Sequence, residues 1–144
     1  MDNNIIITKL EKKDLSSLRD LIKEAFNITI SLKEVEQSLS DSSKIYIIAR
    51  DNNKVVGHIL INIMDDNFLN IRKFYLGYVC VKEEYKGKGI GTNLLKYVED
   101  LAIKLKINVI EFTSSFERCA AHNLYKKNNY QIRDTAVFIK NVNN

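Results

Sequence analysis

Apolar residues along this chain follow two rhythms, and the switches between them mark out its elements. Asn4 to Leu10 is a β-branched run and predicts a short strand. Between Leu15 and Phe26 the residues Leu15, Leu18, Leu21, Ile22 and Ala25 recur at helical steps, with Asp14 placed to cap that helix. Ser31 and Glu34 fit a capping box for a second short helix, Leu32 to Leu39. Ile45 to Arg50 and Val55 to Met64 read as strands joined by the polar turn Asp51-Asn52-Asn53-Lys54, a hairpin. Beyond the polar loop Asp65 to Asn70, Arg72 to Val81 reads as another strand. Helical spacing returns at Ile90, Leu94, Leu95, Val98, Leu101, Ala102 and Leu105, a helix running to about Lys106. Ile107 to Thr113 is then a strand and Glu117 to Asn128 a helix, with Asn129 suited to a left-handed helix end. Tyr130 to Arg133 and Ala136 to Asn141 complete the pattern as two strands.

The resulting order, β-α-α-β-β-β-α-β-α-β-β, predicts an α/β (α+β) fold: a mixed central sheet of six to seven strands flanked by about four helices. The strand ending at Val81 reaches the next one through a helix, which requires a crossover and parallel pairing. A chain of 144 residues without repeat, linker or low-complexity segment is expected to form one domain over 1–144.

Composition narrows the function classes. Hydrophobic content of 45% and charged content of 28% are those of an ordinary globular chain. The net charge of +4 and pI near 9.0 suit an anionic ligand. Basic residues are scattered without interleaved aromatics, so nucleic acid is not expected as a partner. No long apolar run predicts a membrane span. Cys80 and Cys119 show neither C-x-x-C nor metal spacing, and no metal site is expected. Cys80 reads as a small buried hydrophobe; for Cys119, too, burial outweighs nucleophilic chemistry. These features together point to the cytoplasm.

The chemistry-bearing stretch is Val79 to Leu95, V-C-V-K-E-E-Y-K-G-K-G-I-G-T-N-L-L. A strand end, a basic glycine-rich loop and a helix start make an anion site. Glycines admit a ligand to the backbone, the helix N-terminus carries partial positive charge, and lysines add full charges. The plain alternative is a glycine-rich turn with solvated lysines. A dinucleotide fingerprint is excluded because its third glycine would fall on Thr92; a Walker loop is excluded because Gly87 has no partner at the required spacing.

What remains, [basic]-x-x-G-x-G from Lys86 to Gly91, resembles the acetyl-coenzyme A pyrophosphate loop of the GNAT superfamily of N-acetyltransferases. Lys86 stands where relatives carry Arg or Gln. A second signature, R-C-A-A-H-N-L-Y-K-K-N-N-Y over Arg118 to Tyr130, resembles the family's R-x-x-A-H-x-[FL]-Y-x-x-x-G-[FY] helix. Asn129 replaces the usual glycine there. Arg118 stands where many relatives carry Asn, which leaves one expected pantetheine hydrogen bond in doubt. The element order agrees with the family over the whole chain.

That resemblance implies acetyl-coenzyme A as co-substrate, held by Lys86, Gly87, Lys88, Gly89, Ile90, Gly91 and Thr92 at its phosphates. A bulged strand end, mapping to Val79, Cys80 and Val81, would polarise the thioester, and its main chain would run beside the pantetheine; a plain core strand is the alternative role for those three. Tyr125 matches the family's general acid, although a tyrosine on an amphipathic helix is otherwise a core residue. The strand carboxylate of several relatives is replaced by Gly77 and Tyr78, which leaves Glu111 as the candidate base or else a solvent-facing strand end. His122 is expected to brace helix packing, and His58 to be structural. The function implied is acetyl transfer to a primary amine, on a small molecule or peptide, by direct attack in a ternary complex. A non-catalytic acyl-coenzyme A-binding regulatory module is the alternative. Glu34, Glu36, Asp65 and Asp66 could line an acidic pocket for a polycationic acceptor. The sequence does not fix the oligomeric state, and a homodimer is compatible with it.

Overall fold

In the computed structural model, which describes residues 4–143, the two rhythms sort into a sheet and the helices on its two faces. The strands are β1 (Ile5–Lys9), β2 (Lys44–Asp51), β3 (Lys54–Asp66), β4 (Ile71–Val81) and β5 (Val109–Glu111), and they lie side by side in that order. The first three pairings are antiparallel. β5 joins β4 in parallel, with Lys73 opposite Val109 and Tyr75 opposite Glu111, as a helical crossover demands. The helices are α1 (Leu15–Phe26), α2 (Leu32–Ser38), α3 (Ile90–Lys104) and α4 (Cys119–Lys127). None of the described helices is long and apolar enough to cross a membrane.

Alternation along the strands feeds two cores. Ile47, Ile59, Ile61, Phe74 and Leu76 meet Ile90, Leu94, Leu95 and Val98 of α3, with Leu124 and Tyr125 of α4 beside them. Ile48, Val55 and Cys80 meet Leu15, Leu18, Leu21 and Ile22 of α1. Of the helical stripe read from the sequence, Leu15, Leu18, Leu21 and Ile22 are the buried face of α1, and Ala25 is exposed. Polar termini behave locally: Ser31 accepts the Glu34 N–H at 3.3 Å, and Asn27, Lys106 and Asn129 take the left-handed conformation just past α1, α3 and α4.

Asp14 departs from its expected role. It closes a short 3-10 turn before α1, where its side chain belongs to the capping box of that turn and does not cap α1. Its buried carboxylate instead accepts the Glu11 N–H and two bonds from the buried Arg50 guanidinium, at 2.9 and 2.7 Å. Burial pushes that carboxyl up, but these donors outweigh it and hold the group below the usual carboxylate range.

The sheet has five strands where six to seven were expected. Tyr130 to Arg133 and Ala136 to Asn141 form no strand. Their β-branched and aromatic content is a strand preference, but a strand exists only by pairing, and this segment finds no ladder. Tyr130 is committed elsewhere: its ring packs on Phe112 at 5.5 Å, and its hydroxyl donates to Glu99 at 2.8 Å. Val137, Phe138, Ile139 and Val142 accordingly stand exposed.

Candidate active site

The site lies where β4 outruns β5. Their last pair is Tyr75 with Glu111, so β4 continues from Leu76 to Val81 without β5 beside it. Within that stretch, ladder geometry sorts the main chain. Lys82 N–H donates to Val56 O at 2.8 Å, while Cys80 pairs with His58 and Val81 with Gly57. Antiparallel pairs alternate between bonded and non-bonded, so Cys80 turns its backbone toward β3 and Val81 turns its backbone away. Val79 also faces away from β3, because its carbonyl accepts a hydrogen bond from Arg118 Nη2 at 3.1 Å. Two of the three expected main-chain contacts, Val79 and Val81, thus point into the opening. Cys80 does not: its backbone belongs to the ladder and its side chain to the α1 core. Burial pushes its thiol up to about 12, so no thiolate is at hand.

The loop after β4 has the geometry of an anion cradle. Gly87 and Gly89 take φ of 80° and 83°, conformations costly for other residues, and a Cβ at either would meet only open space. Gly89 caps α3, whose first helical bond is Asn93 N–H to Gly89 O at 3.1 Å; the N–H groups of Ile90, Gly91 and Thr92 precede it. Their free donors and the helix dipole converge on one spot. The members of this loop nevertheless differ in what their side chains do. Ile90 is a core residue, and Thr92 Oγ1 is 3.4 Å from Asn128 Nδ2. A Cβ on Gly91 would lie 2.6 Å from Leu124, so that glycine is required where α3 packs on α4. Lys86 pairs with Glu83 at 2.8 Å, and Lys88 lies 5.1 Å over the Tyr85 ring. Both lysines are surface charges that could swing to a phosphate.

Tyr125 lies on α4, buried against Phe112 with ring centroids 4.7 Å apart. Among the described residues no hydrogen bond engages its hydroxyl. Burial raises its pKa, partly offset by the Arg118 charge, so the phenol is protonated at neutral pH, the form a proton donor needs. Arg118 precedes α4 and stacks 5.2 Å over the Phe26 ring while holding Val79 O, which ties α4, β4 and α1 together. His122 is bonded to Ser114 at 3.2 Å, a bracing contact of the kind expected.

Glu111 is partly exposed and paired. One carboxylate oxygen lies 3.5 Å from Lys73 Nζ and the other 2.9 Å from Arg133 Nη2. The four acidic residues considered for an acceptor pocket do not converge. Asp65 pairs with Arg72, Asp66 caps the turn at Phe68 and Leu69, Glu36 meets Lys12, and Glu34 lies in the first turn of α2.

The bulged strand end implied by the family resemblance is present, but it begins one residue before Val79. Between the pairs His58–Cys80 and Leu60–Gly77, one β3 residue faces two of β4, and Tyr78 there takes φ 48°.

Similarity to known proteins agrees with this layout. A curated relative, an uncharacterized N-acetyltransferase of Methanocaldococcus jannaschii, is 27% identical over 130 residues, covering 90% of this chain and 80% of its own. Among solved structures, an aminoglycoside acetyltransferase from an uncultured soil metagenomic sample superposes with TM-score 0.86 at 17% identity, covering 99% of each chain. The ribosomal-protein-alanine N-acetyltransferase of Brucella melitensis biovar Abortus 2308 does so with TM-score 0.80 at 16% identity, covering 96% of this chain and 99% of its own. Both structural likenesses speak for the fold alone. The sequence profile of the acetyltransferase (GNAT) family spans residues 14–130, from before α1 to just past α4, and the chain belongs to that family.

Proposed function

We propose that the protein transfers acetyl from acetyl-coenzyme A to a primary amine by direct attack in a ternary complex. One observation carries this reading: a left-handed glycine loop feeds a free helix N-terminus beside a strand whose Val79 and Val81 main chain is turned out of the sheet. An elongated anion with an amide-bearing arm fits that sequence of donors. The α3 N-terminus, with Gly87, Gly89 and mobile charges from Lys86 and Lys88, would hold the phosphates. The outward main chain of Val79 and Val81 would bind the arm and offer an N–H to the thioester carbonyl as its oxygen gains charge.

Acetyl-coenzyme A supplies the activated acetyl group; the remaining work is proton handling. Tyr125, protonated and unbonded, would give its proton to the departing sulfur. The amine must lose a proton, either to Glu111 or to water. Glu111 is already ion-paired with Lys73 and Arg133, so it would have to exchange those partners for the amine or its water. Glu111→Gln separates the two routes. Loss at neutral pH that is partly recovered at high pH assigns the proton to Glu111; a pH-independent loss assigns it a structural or substrate-binding role.

The same ion pairs are the observation that favours a second reading, a non-catalytic acyl-coenzyme A-binding module. Release of coenzyme A from acetyl-coenzyme A in the presence of a panel of small-molecule and peptide amines decides between them. Amine-dependent release supports the enzyme. Binding of acetyl-coenzyme A without release under any amine supports the module.

A further inference from the structure

The β4 bulge poses a question that the acetyl-transfer reading leaves unanswered: what keeps it in place? Bulges with a left-handed first residue ordinarily use glycine there. This chain spends Gly77 one position early and puts Tyr78 at φ 48°. A side chain in that conformation costs roughly 1–2 kcal/mol, so the surroundings must hold it. The inward-turned Tyr78 carbonyl lies 2.8 Å from His58 Nδ1. A carbonyl can only accept, so Nδ1 carries the hydrogen and Nε2 is the bare nitrogen. That Nε2 is buried and has no partner among the described residues. A histidine sealed into an apolar layer with one nitrogen unpaired is a poor filler, since Phe or Leu would avoid the penalty. What the imidazole alone supplies is the donor to Tyr78 O. The outer side of the bulge is steadied separately, by the Phe26 ring edge-on to Tyr78 at 5.5 Å and by Arg118 on Val79 O.

We propose that His58 is a positioning residue for acetyl transfer. Its Nδ1–H holds the Tyr78 carbonyl, and through it the left-handed bulge that turns the Val79 main chain out of the β3 ladder and into the cleft. In an extended residue N–H and C=O point to the same side, so Val79 N–H shares the outward side of its carbonyl. This inference rests on the acetyl-transfer reading, and the experiment separates the two.

His58→Asn places an amide nitrogen near the position of Nδ1, whereas His58→Phe fills the space and donates nothing. His58→Phe should lower kcat by roughly 10- to 100-fold, the scale expected for a small misplacement of a reacting group, with KM for acetyl-coenzyme A within about threefold because the phosphate loop is untouched. His58→Asn should recover most of that loss. In 15N-labelled protein the Val79 amide resonance should move in His58→Phe and return toward its parent position in His58→Asn. Should His58→Phe fail to fold, Tyr78→Gly in the same chain should restore folding, because glycine takes a positive φ without a steric penalty. The proposal is overturned if His58→Phe keeps kcat near the parent value, if His58→Asn falls as far as His58→Phe, or if Tyr78→Gly brings no relief. A parent protein that turns over no amine would sink the acetyl-transfer reading instead, and the Val79 amide would still decide whether His58 holds the bulge.

Discussion

The two ends of the cleft use the same unusual backbone conformation and reach it by opposite means. At the phosphate-binding end Gly87 and Gly89 adopt positive φ with no side chain and nothing packed over them. At the reaction end Tyr78 adopts positive φ with a large side chain, held by the buried His58 below and Phe26 above. The first end is exposed, charged and pre-shaped by residue type. The second keeps the Tyr78 ring half exposed and is pre-shaped by neighbours, the buried His58 among them. Where a ligand must approach the main chain, the side chain is absent; where a side chain must also form a wall, packing replaces glycine. Changes at the loop should therefore act on binding, and changes at the reaction end on turnover or stability.

The largest effect expected is at the reaction end. Tyr125→Phe keeps the ring against Phe112 and removes only the hydroxyl. It should fold and bind acetyl-coenzyme A while kcat falls by roughly 10²–10⁴, the usual worth of a positioned proton donor. Steady-state kinetics at saturating amine checks this, and turnover within about threefold of the parent would make Tyr125 a core aromatic only.

Next comes a pH signature of the buried imidazole. Burial pushes His58 down to about 4, below the 6.5 of an exposed histidine, despite the opposing bond to Tyr78 O. Between those values the unfolded chain takes up a proton that the folded one refuses. The contribution of His58 is thus intact above pH 6.5 and is lost as pH falls toward 4, by about 3 kcal/mol in all. Denaturant midpoints at pH 7.5 and 4.5 should diverge more for the parent than for His58→Asn. Equal divergence would mean that His58 titrates normally and the reaction end is not sealed.

The loop end should break differently. Gly89→Val forces a β-branched residue to φ 83°, at a cost of about 1–3 kcal/mol, and puts methyl groups into the open space of the cradle. Affinity for coenzyme A should fall by at least about tenfold, as titration calorimetry on the folded variant would show, beside a drop of several degrees in melting temperature from the strain. Gly91→Ala is the internal contrast: its methyl meets Leu124, so it should lower the melting temperature more than the affinity. Were both variants to lose only stability, the loop would be a packing device.

The smallest effect belongs to Lys86. It is half exposed and already paired with Glu83, so Lys86→Ala should cost no more than about 1 kcal/mol of coenzyme A affinity. The loss should shrink as salt rises, because exposed charges are screened. An equal loss at low and high ionic strength would remove Lys86 from the phosphate site.

The sequence by itself determined the elements up to α4, the parallel crossover at β4–β5 and the glycine loop. Each of these is local: helical and strand periods, a capping serine, and residues that tolerate positive φ are all written in short windows. The family signatures also marked Tyr125 as a candidate proton donor; it lies buried on α4. Only tertiary structure decided the rest. The final two strands failed because a strand needs an edge to pair with, and no local pattern shows whether one is on offer. Asp14 became the partner of Arg50, a residue 36 positions away, instead of a helix cap. Gly91 proved to serve a helix contact, and Cys80 turned its backbone into the ladder. The family resemblance implied a bulged strand end, but its start at Tyr78 and its histidine brace were invisible for the same reason: register is a relation between two strands, and one extra residue on β4 has no meaning until β3 lies beside it.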